Sequence, residues 1–226
     1  MPDLKIDAHI HINGNDAELF GKKSEYEALL ELYLSRIRGC SFVDDMYIWT
    51  GILDISEKIS TPERVTIIPC SGDDTFTPFN SNPLDMMNKI TSCPVPDMAK
   101  GDVILFAEPQ YLLIRQMSYE AMYDQLMENE QAHTIYPVYK VDPHLYLKIP
   151  GEESLLPVWE YPGLDRQKYP QLYRKCGVYL FHTKRVRYKQ PLKEMPYIVP
   201  WHEGRRYTND DDLEFADYMF HEKGFV

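Results

Sequence analysis

The sequence predicts an α/β domain built on a largely parallel sheet, and three observations carry that prediction. Apolar runs of about four to six residues alternate with longer stretches of helical period, the pattern of strands joined by crossover helices. A chain of 226 residues can bury a sizeable core without disulfides, and one domain spanning residues 1–226 accounts for its length. No apolar run approaches about 18 residues, and Cys40, Cys70, Cys93 and Cys176 are scattered without paired spacing. With no charged-then-apolar leader, a reducing, cytoplasmic setting is expected, with no membrane partner.

The first strand is read over Lys5–Ile12, in KIDAHIHING, an apolar run that carries His9 and His11 one residue apart. Further strands are expected at Met46–Thr50, Val65–Ile68, Val103–Ala107, Thr134–Val141, Gly177–Phe181 and Tyr197–Val199. The clearest helix is SEYEALLELYLSRIR, residues 24–38. Its Tyr26, Leu29, Leu30, Tyr33 and Ile37 fall on one face, and Ser24 with Glu27 three residues on reads as a capping box. A second helix, SYEAMYDQLMEN at 118–129, starts on Ser118 and aligns Tyr119, Met122, Tyr123 and Leu126. A third begins near Asp211, with Leu213, Ala216 and Phe220 facing inward. Over Cys70 to Gly101 the prolines Pro69, Pro78, Pro83, Pro94 and Pro96, with the run SGDDTFTPFNSN, break the rhythm, leaving room for one short helix near Leu84–Ile90. Residues 143–170, rich in proline, glycine and aromatics, read as an excursion from the sheet.

The pair His9 and His11 invites a metal-dependent hydrolase reading. Such enzymes carry a His-x-His strand on an eight-fold β/α barrel of about 250 residues or more and draw further ligands from later strands. The other histidines, His133, His144, His182, His202 and His221, come with no second ligand at useful spacing, and the proline-rich middle leaves too few β/α units. The alternative is that His9 and His11, on one face of a strand, are polar residues turned to a pocket or to solvent.

Charge and motifs narrow the partners. The net charge of -11 argues against duplex nucleic acid, because phosphate neutralisation requires a basic face. Any anionic substrate needs a local basic pocket. Within GDVILFAEPQYLLIR (101–115), SYEAMYDQLMENEQAHTIYPVYKVDPHLYLKI (118–149), LDRQKYPQLYRKCGVYLFHTKRV (164–186) and PYIVPWHEGRRYTNDDDLEFADYMFHEKG (196–224), the order of motifs resembles the acylneuraminate cytidylyltransferase family. IDAHIHINGNDAELF (6–20) then falls where that family has its glycine-rich phosphate loop.

The resemblance implies a Rossmann-like nucleotidyltransferase fold, an α/β/α sandwich with a mostly parallel sheet. It also implies a homodimer in which the excursion of residues 143–170 reaches toward the partner subunit. It implies transfer of CMP from CTP to a keto-deoxy sugar acid of the sialic acid type, in surface-glycan biosynthesis, with Mg²⁺ as cofactor. Arg166, Gln167 and Arg115 match catalytic positions, and Tyr173 and Arg174 match substrate-binding ones. Ala8, His9, His11, Asn13, Gly14 and Glu108 fall at the nucleotide. His9 stands where the family has arginine, Ile10 and His11 where it has glycines, and Asn13 where it has lysine. Branched side chains do not permit the close backbone approach of glycine. Arg206 and Thr208 stand where two metal-holding aspartates are expected, so Asp210 and Asp212 are the candidate metal ligands after a local shift. Alternatively these acids only open a helix, Asp211 and Glu214 forming its capping box. Three functions follow: an active cytidylyltransferase in which His9, His11, Asn13 and Lys22 or Lys23 replace the loop, a catalytically silent binding or assembly subunit, and the metal hydrolase.

Overall fold

The structure is a computed structural model that describes residues 4–50, 63–69, 85, 88, 101–141, 146–148, 155–157, 171–188 and 191–223. Its centre is an eight-stranded sheet ordered β10-β5-β9-β4-β1-β2-β3, with β8 also paired to β5. The strands are β1 (Ile6–Ile12), β2 (Asp45–Thr50), β3 (Val65–Pro69), β4 (Val103–Ala107), β5 (Thr134–Val141), β8 (Leu172–Lys175), β9 (Tyr179–His182) and β10 (Glu194–Ile198). Pairing is parallel from β3 through β2 and β1 to β4 and again between β5 and β10, while β9 runs antiparallel to both β4 and β5. A separate antiparallel pair, β6 (Tyr146–Lys148) with β7 (Leu155–Pro157), falls in the expected excursion. The described sheet is open, so the barrel frame demanded by the hydrolase reading is not formed.

The middle strands are buried on both faces, as parallel sheets require. Every residue of β1 and of β4 is buried. The even residues of β1 (Ile6, Ala8, Ile10, Ile12) join Val103, Leu105 and Ala107 of β4 in the main core. Helices α2 (Ser24–Gly39), α3 (Gln116–Glu128) and α6 (Asp210–His221) bring their apolar stripes to that core. Tyr26, Leu29, Leu30, Tyr33 and Ile37 of α2, Tyr119, Met122 and Leu126 of α3, and Leu213, Ala216 and Phe220 of α6 are buried there as the helical period dictates. The other face carries a smaller cluster of Ile104, Phe106, Tyr179 and Phe181, against which the short helix α4 (Thr183–Tyr188) sets Val186.

Several boundaries differ from the sequence expectation. Ser24 does not cap α2: Lys23 is the N-cap without a side-chain bond, and Ser24 Oγ donates to its neighbour Glu25. Ser118 lies inside α3, where its hydroxyl donates to Glu203 at 2.6 Å. The cap of α6 is Asn209, whose side chain accepts from the Asp212 N–H, so Asp211 and Glu214 form no box. The last two sheet strands shift to Tyr179–His182 and Glu194–Ile198. Helix α1 (Gly14–Phe20), strand β8 and α5 (Trp201–Gly204) were not expected at all. Of the short helix near Leu84–Ile90, Asp85 and Asn88 are helical and the rest lies outside the described residues.

Candidate functional site

Strand order fixes where to look. From β1 the chain proceeds outward to β2 and β3, then restarts at β4 on the opposite side of β1. The crevice beyond the carboxyl ends of β1 and β4 is therefore a topological switch point, the place where open α/β sheets bind ligands.

Asn13 follows β1 directly and α1 begins at the next residue. Asn13 Oδ1 accepts from the Asp16 N–H at 3.0 Å, and Asp16 Oδ2 accepts from the Asn13 N–H at 3.2 Å. This reciprocal pair is a capping box, and it engages two of the amides that a phosphate loop would leave open. The second Asp16 oxygen accepts from Gln110 Nε2, and Gln110 Oε1 in turn accepts from Arg206 Nε. The backbone fixes the same relay, because the Tyr207 N–H donates to the Gln110 carbonyl at 2.8 Å.

Glu108 joins this group from the end of β4, just before the 3₁₀ turn Pro109–Tyr111. Antiparallel pairing carries Gly177, two residues before β9, past the end of β4. A Cβ at Gly177 would stand 2.8 Å from Tyr111 Cε2 and 3.0 Å from Glu108 Cδ, so only glycine leaves room for this carboxyl group. Asp16, Glu108 and Gln110 are 1%, 3% and 5% exposed, which makes their electrostatics those of an interior. Burial pushes the Asp16 carboxyl up to about 6, opposed by its bonds to Gln110 and Asn13 and by Arg206. Burial, then the nearby Asp16 charge, pushes Glu108 up to about 8, with Arg206 acting the other way. Glu108 Oε2 has no hydrogen-bond partner among the described residues.

The other expected site residues fall elsewhere. Ala8 is in the main core. His9 and His11 are buried on the second face of β1, with Asp7. His9 stacks on Tyr47 with ring centroids 5.0 Å apart, and its Nδ1 accepts from Trp49 Nε1 at 3.0 Å. Because the indole nitrogen only donates, the imidazole proton sits on Nε2. Burial, then Lys5, pushes His9 down to about 3. Lys22 pairs with Asp210 at 3.3 Å, and Lys23 with Glu214 at 3.2 Å. Arg115 is held by the fully buried Glu203, through its Nε at 2.7 Å and its N–H at 3.2 Å. Tyr173 and Arg174 are exposed on β8, where the tyrosine hydroxyl donates to Gln171 at 2.8 Å. Gly14 opens α1 and is exposed. Arg166 and Gln167 lie outside the described residues.

For the expected Mg²⁺ the donor set does not fit. Asp210 and Asp212 stand two positions apart on α6, about 200° round the helix. Asp210 is paired with Lys22, while Asp212 accepts from Arg205 and from the Thr208 N–H, the latter at 2.9 Å. Among the described residues, no group of three or more histidine, cysteine, aspartate or glutamate side chains stands together as a metal site. The crevice offers Asp16, whose two oxygens are both bonded, and Glu108, with the Arg206 guanidinium beside them. Sequence reasoning missed Asp16 and Gln110 as site residues. The Asn13-x-x-Asp16 spacing carried a signal for the first, and none announced the second.

A mostly parallel open sheet with helices on both faces defines a Rossmann-like nucleotidyltransferase fold. No protein-family model matches the chain, and no curated protein matches it by sequence. Among solved structures, 4-diphosphocytidyl-2C-methyl-D-erythritol synthase from Anaerococcus prevotii is similar with a TM-score of 0.65 at 10% identity, covering 96% of this chain and 99% of that one. The 2-C-methyl-D-erythritol 4-phosphate cytidylyltransferase of Francisella tularensis gives 0.63 at 12% identity, over 95% and 99% of the two chains. CMP:2-keto-3-deoxy-manno-octonic acid synthetase in complex with CTP gives 0.61 at 8% identity, over 97% and 98%. At these identities the likeness is one of fold.

Proposed function

We propose that this chain binds CTP in the crevice between β1 and β4 and transfers CMP to the hydroxyl of a keto-deoxy sugar acid of the sialic acid type, as a homodimer serving surface-glycan synthesis. The observation that carries the reading is the relay from buried Asp16 and Gln110 to half-buried Arg206, with Glu108, at the switch point of a fold shared with cytidylyltransferases. In this transfer the acceptor oxygen bonds to the α-phosphorus, the bond from that phosphorus to the bridging oxygen breaks, and pyrophosphate leaves with the electron pair. The acceptor proton passes to a base, and the candidate is Glu108 at the end of β4, a carboxyl group pushed up to about 8 by burial that accepts a proton only in its ionised form, so the transfer gains rate as the pH rises toward 8. By resemblance, Arg166 and Gln167 would contact the substrate as catalytic residues, and Tyr173 and Arg174 would bind it.

A second reading, a silent binding subunit, is favoured by one observation: the Asn13–Asp16 capping box engages backbone amides where a triphosphate would be cradled. One experiment separates the two. The protein is incubated with CTP and a panel of keto-deoxy sugar acids, with and without Mg²⁺, and pyrophosphate is measured beside the melting temperature. Pyrophosphate release is expected. A CTP-induced rise in melting temperature without pyrophosphate leaves the binding subunit, and absence of both at millimolar CTP sinks the proposal.

A further inference from the structure

Among the described residues, the switch-point crevice combines a permanent cation with no group of three or more side chains of metal-ligand type. Arg206 reaches it from the loop before α6, and its Nε is fixed on Gln110 Oε1. Gln110 is fixed in turn by Asp16 through its side chain and by Tyr207 through its backbone. Two residues beside Arg206 in the chain engage the Asp212 carboxylate of α6, since Arg205 pairs with it and the Thr208 N–H donates to it at 2.9 Å. Asp210, the other acid proposed for metal, is half exposed and paired with Lys22. Divalent magnesium requires several hard oxygens in octahedral array, and a guanidinium among the remaining acids opposes a second cation. Arginine stays charged across the accessible pH range and binds phosphate oxygens bidentately.

We propose that Arg206 takes the place of the divalent metal in this chain, so that its guanidinium supplies the positive charge for a nucleoside triphosphate and binding proceeds without Mg²⁺. The inference rests on the nucleotide-binding reading above. In that arrangement Gln110 is a positioning residue, which holds the guanidinium plane by its Nε edge, and Asp16 orients Gln110.

The test is CTP binding by thermal shift and by calorimetry, in excess EDTA and in millimolar Mg²⁺, for the full chain and for the variants Arg206→Ala and Arg206→Lys. CTP at about ten times its Kd is expected to raise the melting temperature by about 3 °C in EDTA as in Mg²⁺. Arg206→Ala should weaken CTP at least tenfold in both buffers, and Arg206→Lys, which keeps the charge and loses the planar fork, should fall between. Circular dichroism of the ligand-free variants monitors folding. If Arg206→Ala does not fold, the EDTA comparison on the unaltered chain and the lysine variant still decide. Binding that vanishes in EDTA and returns with Mg²⁺, or that survives Arg206→Ala undiminished, overturns the inference and leaves the proposed function standing. No binding in either buffer overturns both.

Discussion

Replacing Glu108 by glutamine isolates the electrostatics of the crevice. The carboxyl group is 3% exposed, with Asp16 and Arg206 as its charged neighbours and Tyr111 and Gly177 in contact distance. Its folded-state pKa is raised to about 8 from an ordinary 4.5. The native state therefore holds this proton more tightly than the unfolded chain does. The stability it contributes is complete below about pH 4.5 and is lost as the pH rises through about 8. At about 1.4 kcal/mol per pKa unit, the loss reaches about 3 kcal/mol by pH 7 and up to about 5 kcal/mol above pH 8. Glutamine has the same shape and no charge, so Glu108→Gln removes this slope. Its extra N–H donors, set against Tyr111 and Gly177, cost about 1 kcal/mol at all pH values. Urea unfolding with linear extrapolation, at about pH 4.5, 6, 7 and 8.5, measures both proteins. The variant should be level with or slightly below the unaltered chain at the acid end and ahead by about 2–4 kcal/mol at the alkaline end. A difference between the two proteins that stays flat across this range would refute the assignment of Glu108 to a desolvated site.

Two further outcomes test the supporting structure. Gly177→Ala places a Cβ 2.8 Å from Tyr111 Cε2 and 3.0 Å from Glu108 Cδ, so it should cost about 1–3 kcal/mol in chemical denaturation and weaken CTP as the Glu108 carboxyl is displaced. Glu203→Ala removes the fully buried acceptor of the Arg115 N–H, Arg115 Nε and Ser118 Oγ, and should cost about 2–3 kcal/mol, less than a wholly buried pair because Arg115 is partly solvated; a double-mutant cycle with Arg115→Ala reads the coupling.

The parts of this molecule that were legible in the sequence are those set by local period. VILFA at 103–107 reads as a buried parallel strand because apolar residues are needed on both faces. The stripes of α2, α3 and α6 follow from 3.6-residue spacing. Short elements escaped because one or two turns carry too little pattern: α1 and α5 have seven and four residues, and β8 has four. Caps were misplaced by one to three residues, since several polar residues stand near each helix start and only geometry chooses Asn209 over Asp211 or Arg115 over Ser118. The crevice was the least legible part. Gln110 meets Asp16 across 94 residues and Arg206 across 96, and no spacing rule links positions so far apart.

The histidine strand and the relay are two aspects of one rearrangement. Ile10 and Ile12 extend β1 as a fully buried strand up to Asn13, and the Asn13–Asp16 box starts α1 immediately. The polar row on the other face is held uncharged where it matters, since His9 is neutral and accepts from Trp49. A chain built this way gives up the wide glycine turn that presents several backbone amides to an anion. The acid that closes the turn, Asp16, also anchors Gln110, and through it a guanidinium that backbone recognition would not need. Engaged backbone amides and a tethered arginine thus occur at the same place and through the same aspartate. On the proposed reading, that coupling argues for a crevice whose anion recognition rests on a side chain, and against one that has merely decayed, because decay would leave no reason for Tyr207 and Asp16 to fix Gln110, the residue that in turn holds a single arginine.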